Sequence, residues 1–257
     1  MFWLNKAGRK MTDILVIDSS TNMVSVAAGS SVEDSTSKTI DQPSSHSENI
    51  LSCVDEVLKI RSKSMSEISA IGVGIGPGLF TGLRVGISAA HAFAHALDIP
   101  LVYFSSLELS VMSSFEPQAK RNGEILIAKD ARRHEVYFAR YSFFRQATFE
   151  VTLDETHVAS NMKRIVEESL ISPKEFAQIV NDSIDPVVIL DNKEKYEEFR
   201  LIDRIKLKNI IPARIDAKYA IDLVVDSVMS GITSDVLAPK ALYIRKSDAE
   251  LSWGVPK

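Results

Sequence analysis

Two histidines, His91 and His95, stand four residues apart in a run that is helical by composition. On one helix that spacing offers two imidazoles to a zinc ion. The residue after His91 is Ala92 rather than a glutamate, no third ligand is indicated, and both histidines fall on the polar stripe Arg84, Ser88, His91, His95, Asp98. The pair therefore reads as solvent-facing structure rather than as a metal centre. Asp18 and Thr21 flank a turn after the first apolar run, and Asp130 lies where a second group of strands begins. An aspartate beside turn-forming Ser and Thr commonly bonds local amides, which is a structural role. The single cysteine, Cys53, cannot form an internal disulfide, and its place on an amphipathic stretch reads as a small core side chain. A reducing cytoplasm is the expected compartment.

The most informative stretch is a glycine cluster. Gly72, Gly74, Gly76, Gly78, Gly82 and Gly86 fall close together, where backbone freedom or close approach is wanted. The stretch lacks the GK[ST] ending of a P-loop and fits no GxGxxG pattern. Pro77 fixes a tight strand-to-helix turn whose amides could hold an anion, but no lysine or carboxylate inside the loop would assist a nucleotide and its metal, so a rigid turn is the preferred reading. Beyond it, Gly78, Gly82, Gly86, Ala90 and Ala94 recur every four residues, a stripe that lets another backbone come close. Most of that helix is apolar and needs cover on more than one side, which the preceding helix supplies in part or a partner protein supplies equally well. The expected partner face comprises Leu51, Val54, Leu58, Gly78, Gly82, Val85, Gly86, Ala89, Ala90 and Phe93.

The elements that must position these residues follow from periodicity. Asp13 to Ser19 and Met23 to Ala28 predict a hairpin across Ser20, Thr21 and Asn22, with a polar edge strand from Val32 to Ile40. Ser45 and Glu48 form a capping-box pattern, and Ile50, Leu51, Val54, Val57 and Leu58 predict a helix over about 46 to 61. A strand from Ile68 to Ile75, the glycine turn, a second helix and a strand from Pro100 to Phe104 complete a hairpin, β, α, β, α, β order. That is how a mixed sheet with helical crossovers is laid down. In the second half, Glu124 to Lys129 and Glu135 to Phe144 predict strands. Helical windows follow at about 157 to 169 and 173 to 182, a strand at Val187 to Asp191, and helices near 193 to 200 and 216 to 230. No internal repeat stands out. The expected organisation is an extension over residues 1 to 10, a first lobe over 11 to 105 and a second over 106 to 257, with the 216 to 230 helix free to pack back on the first.

The 257 residues are 45% hydrophobic and 25% charged, which rules out disorder and collagen-like repetition. The formal charge of -4 disfavours solo nucleic-acid binding. Local exceptions are Arg121, Lys129, Arg132, Arg133, Arg140 and Arg145, and then Lys240, Arg245 and Lys246, all read as solvated faces. No apolar stretch is long enough to span a membrane, so no membrane association is expected.

The run GIGPGLFTGLRVGISAAHAFAHALDIPLVYFSSLE resembles the TsaB (YeaZ) family, whose members are required for threonylcarbamoylation of tRNA. The likeness extends to IDSST at 17 to 21, HSENIL at 46 to 51 and DARRHEVY at 130 to 137, and weakly to APKALYIR at 238 to 245. It implies an α/β, two-lobed actin-like ATPase (ribonuclease H-like, ASKHA) fold with a reduced second lobe. It also implies a non-catalytic subunit that pairs with the related TsaD through the two first-lobe helices, or with a second copy of itself. TsaE is the ATPase partner, TsaC-type enzymes supply the threonylcarbamoyl adenylate, and tRNA is reached indirectly through the complex. In TsaD a histidine pair follows the strand equivalent to Pro100 to Phe104, whereas this chain has Ser106 and Ser110 there. A hydroxyl is a poor substitute for imidazole at a transition metal, so no metal is expected. Asp18 and Thr21 occupy the first-strand turn where actin-like ATPases approach phosphate, and Asp130 opens the second lobe where such enzymes often place another carboxylate. No nucleotide is expected on the lone chain, with ATP or ADP reserved for the assembled complex. The alternatives are an independent ATP-dependent phosphotransferase and, last, a metallopeptidase.

Overall fold

The computed structural model describes residues 12–41, 46–115, 123–143, 162–203 and 206–244. The leading ten residues, Ser45 of the capping pattern, Arg121, Arg145, Arg245, Lys246 and the stretch 157–161 lie outside the described residues.

The first apolar run forms β1 (Asp13–Asp18), with all six residues buried. Continuous burial is what a strand covered on both faces requires. It pairs antiparallel with β2 (Met23–Gly29), which pairs antiparallel with β3 (Ser35–Asp41). Helix α1 (His46–Ile60) leads to β4 (Ile68–Gly74), then α2 (Phe80–Leu97) leads to β5 (Leu101–Phe104). The sheet order is β3-β2-β1-β4-β5, with β1, β4 and β5 mutually parallel.

Helix α3 (Ser106–Ser114) crosses to the second sheet of β6 (Gly123–Arg132), β7 (Glu135–Phe143) and β8 (Met162–Ile171). Then come α4 (Pro173–Asp182), β9 (Val187–Leu190), two 3-10 turns, β10 (Ile210–Pro212) and α5 (Ile221–Ser230). Its order is β10-β9-β6-β7-β8, with antiparallel pairing on the β7 and β8 side and parallel pairing on the β9 and β10 side. The two sheets are thus built alike: hairpin, third strand, helix, strand, crossover, strand, helix. No repeat stood out in the residues, because what recurs is the order of elements rather than their side chains.

The two closing helices change places. Helices α1 and α2 cover one face of the first sheet through Ile50, Val54, Leu83, Ile87 and Ala90. The other face, Ile14 and Val16, is covered by Ile221 and Val224 of α5, which arrives from the second half of the chain. In return, Leu107 and Val111 of α3 pack on Ile125, Ile127 and Tyr141 of the second sheet. Helix α4 closes that sheet's remaining face through Phe176 and Val180.

Three expectations are corrected. The window at 157 to 169 is a strand over Met162–Ile171, where half-buried Arg164, Val166 and Glu168 alternate with exposed Lys163, Ile165 and Glu167. Charged residues on the inner face hid the period-two pattern. The helix expected at 193 to 200 is a short 3-10 turn, Glu197–Leu201. Helix α3 was not foreseen, although Ser105 caps it by accepting from the amides of Leu107 and Glu108, each at 3.1 Å.

Candidate functional site

The glycine turn after β4 packs against the turn after β1. The Leu79 amide donates to the Ser20 carbonyl at 2.7 Å, and a Cβ on Gly78 would lie 2.2 Å from that oxygen. Asp18 is fully buried beneath this contact. Its Oδ1 accepts from the Ser20 amide at 3.0 Å and the Ser20 hydroxyl at 2.8 Å, and its Oδ2 accepts from the Ser106 hydroxyl at 2.6 Å. Thr21 Oγ1 accepts from the Met23 amide at 3.0 Å. These side chains hold the turn together, and the space beside the β1 turn is filled by the chain itself.

Ser106 and Ser110 are fully buried. Besides bonding Asp18, Ser106 accepts from the Gly76 amide at 3.2 Å, while the Ser110 hydroxyl donates to the Arg214 carbonyl at 2.8 Å. Asp130 accepts from the Arg132 amide at 2.8 Å and from the Tyr196 phenol, and pairs with Lys195 at 2.8 Å. Burial would raise its carboxyl, but the Lys195 and Tyr196 hydrogen bonds outweigh that and hold it below the usual range.

His91 corrects the reading of a solvent-facing pair. It is 8% exposed, bonded through Nδ1 to the Val236 carbonyl at 2.6 Å and through Nε2 to the Tyr103 hydroxyl. Both ring nitrogens are committed to holding the segment after α5 against α2 and β5. His95 is exposed on the next turn. Cys53 is fully buried in the first core, and burial pushes its thiol up.

The basic residues do not make one solvated face either. Arg140 pairs with Glu124 across the β6–β7 ladder, and Lys129 is buried. Burial drives the Lys129 ammonium down, opposed by the carboxylates of Asp18 from the first sheet and Asp191 from the second. Arg132 and Arg133 sit at the exposed β6–β7 turn.

Sequence reasoning missed a second buried cluster. Glu108 of α3 takes a 3.0 Å hydrogen bond from Arg164 of β8, which also lies 3.7 Å from Glu168. Ser105 donates to Glu168. Burial lifts the Glu108 carboxyl to about 8 and raises that of Glu168 as well. Glu108 Oε1, the Tyr141 hydroxyl and Arg164 Nε are buried without hydrogen-bond partners among the described residues. The signal available in the chain was the Ser105-x-x-Glu108 capping pattern, which places that glutamate on the first turn of α3.

The expected partner face divides sharply. Val54, Leu58, Gly82, Gly86 and Ala90 are buried inside this chain's own core. The small-residue stripe faces inward: the Ser19 hydroxyl donates to the Gly82 carbonyl at 2.8 Å, and a Cβ on Gly86 would lie 2.2 Å from the same hydroxyl. Gly78 meets Ser20. The close backbone approach implied by the stripe is satisfied by the β1 turn. Leu51, 54% exposed, stays outside, with half-buried Val85, Ala89 and Phe93. Leu51, Val85 and Ala89, together with Arg84 and Ser88, line an open groove of about 430 Å³ between α1 and α2. At its rim the Arg84 guanidinium stacks 3.7 Å above the exposed Phe80 ring and donates to the Tyr243 hydroxyl at 3.1 Å. Phe80 and Tyr243 are 5.1 Å apart by ring centroid. These aromatic and arginine rim residues were not among those expected.

The sequence profile of the family described as TsaD, tRNA N6-adenosine threonylcarbamoyltransferase, matches residues 41–185. That span is more than half of the chain. The chain belongs to the TsaD family. It is therefore a member of a tRNA-modification family. Among solved structures, an uncharacterized protein from Pseudomonas aeruginosa, described as similar to peptidase YEAZ, is 21% identical with a TM-score of 0.67, over 91% of this chain and 100% of that one. YeaZ from Pseudomonas aeruginosa is 20% identical with a TM-score of 0.67, over 90% of this chain and 100% of that one. The fold of this TsaD-family chain is thus the YeaZ fold, a two-lobed actin-like α/β architecture. A comparison with curated proteins finds no significant sequence match. No helix among the described residues is long and apolar enough to cross a membrane.

Proposed function

We propose that this chain is a non-catalytic scaffold and activator in the TsaD-dependent formation of threonylcarbamoyladenosine in tRNA. It docks on TsaD through the α1–α2 groove. The observation that carries this reading is the exposed apolar groove of Leu51, Val85 and Ala89, rimmed by Phe80 and Arg84, on a chain of the TsaD family. Apolar floors with aromatic and arginine anchors are where protein interfaces concentrate their binding energy. TsaE and tRNA join through the assembled complex, and a second copy of the chain is the competing occupant of the same groove. Any ATP or ADP belongs to the complex rather than to this chain alone.

The test is reconstitution: TsaD, TsaE, threonylcarbamoyl adenylate and tRNA are combined with and without this chain. Modification should depend on the chain, and equal modification in its absence refutes the proposal. The competing reading, an independent phosphotransferase, draws on the actin-like architecture. Its phosphate would have to approach the β1 turn, where Ser20, Asp18 and Leu79 already bond one another. Calorimetry with ATP and magnesium on the lone chain separates the two, since micromolar binding with turnover of an alcohol substrate favours the kinase-like reading.

A further inference from the structure

A second concavity, of about 440 Å³, lies where the chain crosses between its two sheets, beside the end of α3 and the segment leading into α5. That volume falls within the range of small-molecule sites.

Its walls are pinned by hydroxyls. The Ser110 hydroxyl donates to the Arg214 carbonyl at 2.8 Å, and the Arg214 amide donates to Ser114 Oγ at 2.8 Å. The Asp216 amide donates to Ser113 Oγ at 3.0 Å, and the Ala217 amide donates to Ser25 Oγ at 2.9 Å. Ser25 in turn bonds Thr39 at 2.8 Å. The backbone from Arg214 to Ala217 is therefore held on both sides, against α3 and against the first sheet. The backbone that carries the lining side chains is preorganised, which removes part of the ordering cost of binding.

The lining is amphipathic and unevenly charged. Met23, Ile215 and the Tyr219 ring supply apolar surface. Two cations line the cavity. The Arg214 guanidinium has no ion-pair partner among the described residues, and the Lys218 ammonium lies 4.0 Å from Asp216 Oδ2 and 5.0 Å from the centroid of Tyr219. Asp216 is the one carboxylate of the lining among the described residues and takes the Lys218 amide on Oδ1 at 3.1 Å. One positive charge thus remains uncompensated beside apolar and aromatic surface. A guanidinium fork and an ammonium together suit the several oxygens of a phosphate better than a single carboxylate.

We infer that this crossover cavity binds a small phosphate ester bearing a planar ring, with Arg214 and Lys218 on the phosphate and Met23, Ile215 and Tyr219 against the ring. The site shares no lining residue with the α1–α2 groove or with Ser19 to Thr21, so it does not depend on the proposed role with TsaD.

Isotope-labelled full-length chain is titrated with AMP, adenosine and inorganic phosphate while backbone amide resonances are followed. Saturable AMP binding is expected to move the amides of Ser113, Arg214 and Tyr219. Inorganic phosphate should compete with it, and adenosine should bind at least about tenfold more weakly, the scale of one lost charge-assisted contact. Arg214→Gln and Lys218→Gln should each weaken AMP by about tenfold or more with the thermal midpoint unchanged. The proposal is overturned if AMP does not saturate, if adenosine binds equally well, or if the shifts fall on Ser19 to Thr21 and Gly76 to Leu79 instead. Should a variant fail to fold, the wild-type shift map still decides.

Discussion

At the scale of single residues, Gly86 and Glu108 carry the sharpest consequences. A methyl group on Gly86 collides with the Ser19 hydroxyl that bonds Gly82, so Gly86→Ala forces that side chain to turn away. Overpacking of this kind costs about 1–3 kcal/mol, and urea denaturation should show a midpoint lowered accordingly in the isolated chain. An unchanged midpoint would return the stripe to a role outside the core. Glu108 has its carboxyl lifted by burial from the ordinary 4.5 to about 8. Between those values the folded state holds a proton that the unfolded state releases, so folding stability falls as pH rises through this window and levels off above it. Glu108→Gln removes the titration. The variant should lose less stability than the parent between pH 5 and about 8.5, as read by chemical denaturation at each pH.

At the scale of elements, α1 and α2 each serve two environments. Val54, Leu58, Leu83, Ile87 and Ala90 face the first sheet, while exposed Leu51 and half-buried Val85 and Ala89, at the core's edge, line the groove one helical step away. Ala89→Arg and Leu51→Asp place charge in the groove without entering the core. Each should leave the circular dichroism spectrum and thermal midpoint of the lone chain unchanged while weakening co-purification with TsaD by more than about tenfold, since an unpaired charge buried in an interface is costly. Full recovery of the complex with both variants would move the docking surface elsewhere. Helix α3 shows the complementary case: Leu107 and Val111 face the second sheet while Leu109 and Met112 face the core under α5, so it is buried on nearly every side. A helix in that position has no polar stripe to display, which is why periodicity did not reveal it.

At the scale of the whole molecule, the exchange of α3 and α5 ties the two sheets together. The face of the first sheet bearing Ile14 and Val16 is covered by residues about two hundred positions later in the chain. Lys129 is buried near the same junction, where the carboxylates of Asp18 and Asp191 favour its charged form against the cost of burial. Neither half can complete its core alone, so denaturant unfolding followed by near-ultraviolet and by far-ultraviolet circular dichroism should give coincident transitions. A fragment ending at residue 115 should be insoluble, because removing α5 exposes that apolar face. Two separated transitions, or a soluble and folded fragment, would show that the halves are independent.

The linear order of residues was enough to set the first sheet and its two outer helices, because local periodicity and turn chemistry agree there: DILVID, MVSVAA and the Gly76-Pro77-Gly78 turn each specify one conformation. It also carried the family likeness through the run from Gly74 to Glu108. In the second sheet β6, β7 and β9 were legible, but β8 stayed hidden, since it turns half-buried Arg164 and Glu168 inward and so lacks an apolar face. The direction in which each side of α2 points was a tertiary decision. A stripe of small residues demands only that some backbone come close, and the β1 turn, sixty residues earlier and brought there by the parallel pairing of β1 with β4, meets that demand before any partner can. What remains for a partner is the groove that folding leaves uncovered.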